Sequence, residues 1–239
     1  MAAALYVGTS GFAYGRWKGS FYPERIRPRD MLRYYGQRFN SVEINYTFRK
    51  EPTEATVAAW REATPPEFRF TLKAHQRLTH WRRLEGVADA ATAFLERASV
   101  LRDRLGPILF QCPPTLAYNP ALVDALLDAL PPQRRYVFEF RHPSWRPMRG
   151  ALAERGAAWC VADTDEHPAP DGPLGDGPFV YLRLRRERYP RPALGRWAER
   201  ISEALDHGTD VYCYFKHEDR GVGPKHARAL LRTVQRTAP

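Results

Sequence analysis

The sequence has 239 residues, 44% of them hydrophobic and 27% charged, a composition that fits a folded globular chain and excludes a disordered or collagen-like one. No segment approaches the ~20 consecutive apolar residues of a membrane span, so no membrane partner is expected. A net charge of +10 and a pI of about 9.8 favour anionic partners, either phosphorylated small molecules or nucleic acid; arginines expected on solvated helix faces, such as Arg228, Arg232 and Arg236, account for part of that charge.

At the N-terminus, Met1-Ala2-Ala3-Ala4-Leu5 carries neither a basic segment nor a long apolar one, so a cytoplasmic protein without a secretory signal is expected. From there, short β-branched and aromatic runs alternate with stretches of helical period. The runs predict eight strands, at 5–8, 41–45, 68–73, 108–111, 136–141, 158–163, 180–184 and 211–216. Helices are predicted at 30–39, 53–63, 87–105, 120–130, 149–155, 193–207 and 225–236. The Pro- and Gly-rich stretch 168–178 predicts a sixth connection with little helix of its own. Cys112, Cys160 and Cys213 are too few and too far apart for a disulfide framework, and are expected as reduced thiols packed in the sheet.

Strict alternation of strand and helix specifies parallel βα units. Gly8, Gly11, Gly15 and Gly19 miss the G-x-G-x-x-G spacing of an open dinucleotide-binding sheet. Polar residues also end nearly every strand, whereas an open sheet concentrates its site at one switch point. The expected fold is therefore α/β, a single (β/α)8 TIM-type barrel of parallel strands over residues 1–239, with an irregular sixth βα segment and no linker or internal repeat.

Side chains alternate between the two faces of a strand, so parity separates those facing the helices from those facing the axis. Val42 and Ile44 face helices, which leaves Glu43 and Asn45 inward. The same rule points Lys73, Gln111, Glu139 and Arg141 inward. It places Asp163 at the end of the sixth strand, Tyr181 and Arg183 on one face of the seventh, and Tyr212, Tyr214 and Lys216 on one face of the eighth. Active sites of barrels lie at the C-terminal ends of strands, so this set of charges reads as a site. Glu43, Glu139 and Asp163 are the catalytic candidates, suited to acid–base work. Asn45, Lys73, Gln111, Arg141, His142, Trp145, Arg183 and Lys216 are the substrate-binding candidates, with the cations placed to fork onto phosphate or carboxylate. Tyr46, Trp145, Tyr181 and Tyr214 are candidates for stacking on a base or sugar.

A divalent metal, magnesium or manganese rather than zinc, could draw on Glu43, Glu139, Asp163, His142 and His217. Against it, no His-x-His or His-Glu-x-x-His spacing occurs, and each carboxylate has a basic neighbour. Two functions from different classes follow. One is an enzyme, a hydrolase or lyase, acting on a phosphorylated or nucleotide-like anionic substrate by acid–base chemistry or hydrolysis at the C-terminal barrel mouth; the other is a nucleic-acid-binding or processing protein using the basic surface. A barrel without catalytic activity is the third reading. The number of subunits cannot be read from these residues.

Several runs carry a resemblance. Gly8-Thr9-Ser10-Gly11-Phe12, the segment from Phe39 through Glu43-Ile44-Asn45 to Phe48, Phe70-Thr71-Leu72-Lys73-Ala74-His75 followed by Thr79-His80, Leu105 through Gln111-Cys112-Pro113-Pro114, and Phe138-Glu139-Phe140-Arg141-His142-Pro143-Ser144-Trp145 resemble the DUF72, or YecE-like, family. The resemblance covers nearly the whole chain and implies a TIM-type barrel, with no catalytic role established for any residue. The sequence departs from the family pattern late. Arg183-Leu184-Arg185-Arg186 stands where an Arg-x-His-Gly element is usual, and Phe215-Lys216-His217-Glu218 where Phe-Asn-Asn is usual. These replacements add positive charge after strands seven and eight, where barrels often bind phosphate.

Overall fold

Short, largely apolar runs form strands such as Tyr136–Phe140, Val180–Leu184 and Val211–Phe215 that are buried on both faces, as a parallel sheet flanked by helices requires. In the computed structural model, which describes residues 3–175, 177–216 and 220–237, the strands are β1 (Leu5–Thr9), β2 (Ser41–Ile44), β3 (Arg69–Lys73), β4 (Leu105–Cys112), β5 (Tyr136–Phe140), β6 (Ala157–Asp163), β7 (Val180–Leu184) and β8 (Val211–Phe215). The helices are α1 (Met31–Gly36), α2 (Glu54–Glu62), α3 (Ala88–Ala98), α4 (Pro120–Ala129), α5 (Met148–Glu154), α6 (Arg191–Asp206) and α7 (Val222–Thr237). The sheet order is β1-β8-β7-β6-β5-β4-β3-β2, and a parallel bridge between Ser10 and Glu43 joins the strands at its two ends. The chain folds as a (β/α)8 TIM-type barrel.

Its contacts group into two compact units. One is built on Met1–Glu43, Val161–Gly175 and Phe179–Pro239, where β8 pairs in parallel with both β1 and β7. Here β1 and β2 approach so closely that a Cβ on Gly8 would lie 1.9 Å from the Ser41 carbonyl oxygen, which is why glycine stands there. The other is built on Ile44–Cys160, where β3, β4, β5 and β6 pair successively in parallel. Its core includes Phe68, Phe70, Leu72, Phe110, Val137 and Phe138, all at most 1% exposed.

The elements depart from the sequence expectation in a few places. The third helical stretch divides into α3 and a 3-10 segment, Ser99–Arg104, in which Arg102 takes a left-handed φ of 53°. Strand β4 begins at Leu105, earlier than expected, because Gly106 and Pro107 read as breakers but lie within the strand. Helix α7 begins at Val222 because Pro224 falls in its first turn, where a missing N–H costs nothing. The stretch between β6 and β7 holds no helix among the described residues; Arg200 of α6 pins it by donating to the carbonyls of Pro170 and Gly172.

Candidate functional site

In the first unit, strand parity puts Tyr181 and Arg183 on one face of β7, and both reach Glu43 of β2. The Tyr181 hydroxyl donates to Glu43 Oε2 at 2.6 Å, and Arg183 Nη2 donates to Oε1 at 2.8 Å. All three side chains are at most 2% exposed. Burial alone would raise the Glu43 pKa, but the Arg183 charge and the Tyr181 hydrogen bond outweigh it and hold the carboxyl below its ordinary value. Burial, followed by the Glu43 charge, holds the Tyr181 phenol well above its ordinary value, so it remains a donor. Glu43 is thus a charged anchor with both oxygens committed, and no part of it meets solvent.

Asp163 at the end of β6 is likewise fully buried, and it accepts from Arg186 Nη2 (2.7 Å), the Ala169 N–H (2.8 Å) and the Tyr189 hydroxyl (2.8 Å). These bonds tie the segments after β6 and β7 together. At the strand-seven departure, Arg183 is paired with Glu43 and Arg186 with Asp163. Lys216 is half-buried just beyond β8, where its N–H donates to the Leu184 carbonyl. His217 lies outside the described residues.

The second unit holds a differently built cluster. Lys73 ends β3, Gln111 lies near the end of β4, and Gln111 is in register with Glu139 of β5. Lys73 Nζ donates to Gln111 Oε1 at 2.6 Å and lies 3.6 Å from the centroid of the Phe48 ring. Lysine can only donate, so this bond fixes which end of the Gln111 amide faces it. The other end, Nε2, is buried with no hydrogen-bond partner. A buried orphan donor costs about 1–3 kcal/mol, so it calls for an acceptor. Glu139 is 4% exposed and meets Arg141 at a loose 3.3 Å, while the Arg141 side chain stays 40% exposed.

His80 completes the cluster from a π-helical turn, Arg77–Trp81, after β3. Such turns are frequent at functional sites. The backbone then runs through two left-handed residues, Arg83 (φ 51°) and Leu84 (φ 67°), with Leu84 buried as the anchor. Burial, then the charges of Lys73 and Arg141, lowers the His80 pKa, so the ring is neutral at physiological pH. Its Nδ1 is 2.8 Å from the Thr79 hydroxyl, and its ring meets Phe48 edge-on at 4.9 Å.

The remaining expected residues have local duties. Asn45 precedes the 3-10 turn Tyr46–Phe48, and its carbonyl accepts from the Phe48 N–H. His142 caps the turn Pro143–Trp145, its Nδ1 meeting the Ser144 hydroxyl at 2.7 Å and accepting from the Ser144 N–H. Trp145, Tyr181 and Tyr214, expected to stack on a ligand, are fully buried. Trp145 instead stacks on Phe140 at 4.0 Å and donates to the Leu116 carbonyl, and the Tyr214 hydroxyl bonds the Ser41 hydroxyl. Of the four aromatics, Tyr46 alone presents an exposed ring. No three His, Cys, Asp or Glu among the described residues are arranged to hold a metal ion.

The family described as "Protein of unknown function DUF72" matches residues 6–239. The chain belongs to the DUF72 family. It is 38% identical over 170 residues to UPF0759 protein YecE of Escherichia coli strain K12, covering 67% of this chain and 59% of that protein, and so spans under two thirds of that relative's length. It is 27% identical to UPF0759 protein YunF of Bacillus subtilis strain 168, covering 95% of this chain and 93% of that protein. A crystal structure of a DUF72 family protein from Thermotoga maritima superposes with a TM-score of 0.82 at 24% identity, covering 97% of this chain and 99% of that chain.

Two groups in this DUF72 cluster escaped the parity argument, because Phe48 and His80 lie on turns rather than strands. The sequence did carry a signal for His80, whose Thr79-His80 pair follows the β3 motif. Phe48 is marked only by its place at the end of the Glu43-to-Phe48 run.

Proposed function

We propose that this DUF72 protein is an enzyme acting on a phosphorylated or nucleotide-like anionic substrate, by proton transfer or hydrolysis, at the C-terminal ends of β3, β4 and β5. The observation that carries the reading is the Gln111 amide, its orientation set by the bond from Lys73 to Oε1 and its buried Nε2 donor without an acceptor, beside the Lys73 ammonium. Lys73 and the partly exposed Arg141 provide charge for an anion, with Arg141 able to approach bidentately. Glu139 is the acid–base group, lying at the end of β5 beside the partly exposed Arg141, which it meets at 3.3 Å. Neutral His80 is a second group able to take or give a proton. In this reading Glu43 and Asp163 hold the fold in place and take no part in proton transfer.

The experiment is a screen of phosphate esters for turnover, followed by the hits on Glu139→Gln and Lys73→Met. Turnover falling about 10²-fold or more in Glu139→Gln is expected of a lost general acid or base. Wild-type turnover in both variants would remove the reading.

A further inference from the structure

Taking that anion site as its starting point, we propose that the ligand is a nucleoside monophosphate, with its phosphate on Lys73, Gln111 and Arg141 and its base against exposed aromatic rings. Among the described residues, the large hydrophobic side chains left exposed are Tyr46 (49%), Trp81 (65%) and Tyr118 (41%). Single exposed hydrophobics are ordinary. These three are set apart by position, because they all belong to one unit and follow β2, β3 and β4 at the C-terminal ends where barrels place ligands.

Each exposed ring also rides on a segment tied to a member of the cluster. Tyr46 opens the turn that delivers Phe48 to Lys73 and His80. Trp81 directly follows His80 in the π-helical turn. Tyr118 donates its N–H to the Ser144 hydroxyl, on the turn just after Arg141, and its ring packs edge-on against Trp145 at 5.3 Å. Trp81 is held on one side by His75, whose ring meets it at 90° and 5.9 Å, while His75 Nε2 lies 3.3 Å from the Arg49 carbonyl. A ring fixed on one side and open on the other is a preorganised stacking surface. Charge supports one phosphate rather than a chain of them. Lys73 and Arg141 offset by Glu139 leave about one net positive charge while His80 is neutral, which suits a phosphate monoester of about −1.5 to −2.

The test is calorimetric titration of the full chain with inorganic phosphate, ribose 5-phosphate, a panel of nucleoside 5′-monophosphates, and a single-stranded oligonucleotide. The expected result is that at least one nucleotide binds about tenfold or more tightly than ribose 5-phosphate, the gain that stacking one base supplies. Trp81→Ala is expected to lower that nucleotide's affinity to the level of ribose 5-phosphate; with Trp81 this exposed, the variant keeps its fold. Equal affinity for ribose 5-phosphate and every nucleotide would overturn the nucleotide assignment and leave the anion site standing. An oligonucleotide bound far more tightly, with a steep salt dependence, would replace it with a nucleic-acid surface. Failure of every phosphate probe to bind would overturn both the assignment and the site it rests on.

Discussion

Lys73 and Gln111 share a 2.6 Å hydrogen bond that leaves the second end of the glutamine amide as a buried donor with nothing to donate to. A side chain in this state is costly unless a ligand or an ordered water completes it. Exchanging the amide for a carboxylate tests the difference. Gln111→Glu keeps an acceptor for Lys73 and places a negative charge where the phosphate is expected. Phosphate-ester affinity should fall tenfold or more, equivalent to about 1.4 kcal/mol, with little change in Tm. Calorimetry and thermal melts on the same variant read the two quantities separately.

The Arg183–Glu43 pair predicts a large stability effect. Replacing Arg183 with methionine leaves the Glu43 carboxylate fully buried without its cation, and breaking such a pair costs about 3–5 kcal/mol. The double variant Glu43→Gln with Arg183→Met removes both charges and should recover much of that loss. Urea unfolding of both variants tests this, and a double variant no more stable than the single would contradict it.

Acid should act through the same pair. The folded-state pKa of Glu43 is lowered, so the unfolded chain takes up the proton more readily. The stabilisation is therefore complete above the unfolded carboxyl pKa of about 4.3 and is lost as pH falls through the lower folded value. Urea midpoints followed from pH 6 downwards should decline below about pH 4.5, and the slope in that window should be shallower in Glu43→Gln.

The three thiols should be unreactive in the native state. Cys112, Cys160 and Cys213 are buried and unpaired with one another, and burial raises the thiol pKa of Cys112 and Cys213, Glu139 adding to the effect at Cys112. A thiol reagent should label none of them without denaturant and all of them with it.

The order of strands was legible because parallel strands read as short β-branched and aromatic runs, and seven of those runs begin within one residue of the strand found. The exception, β4, was hidden by Gly106-Pro107, which reads locally as a break although the strand runs through it. Parity also placed the acids on definite faces. What it could not give was depth or partnership. Glu43 and Glu139 sit in equivalent patterns, apolar residues on either side, yet Glu43 finds Arg183 140 residues away while Glu139 finds Arg141 two residues on. Only tertiary structure separates the acid bound by the buried Tyr181 and Arg183 from the acid that meets the partly exposed Arg141. The same limit explains Trp145, whose family-like motif looked functional but whose ring fills the space against Phe140. It also explains Trp81, which is followed by Arg82 and Arg83 and is indistinguishable in sequence from any surface aromatic.

The cluster of Lys73, Gln111, Glu139 and Arg141 is most directly tested by titrating the protein with ribose 5-phosphate at low salt while following the ³¹P resonance. Saturable one-to-one binding in the wild type, lost in Lys73→Met while the thermal melt stays cooperative, is the expected result. A resonance that does not shift, or that shifts equally in the variant, would show that these strand ends hold no anion.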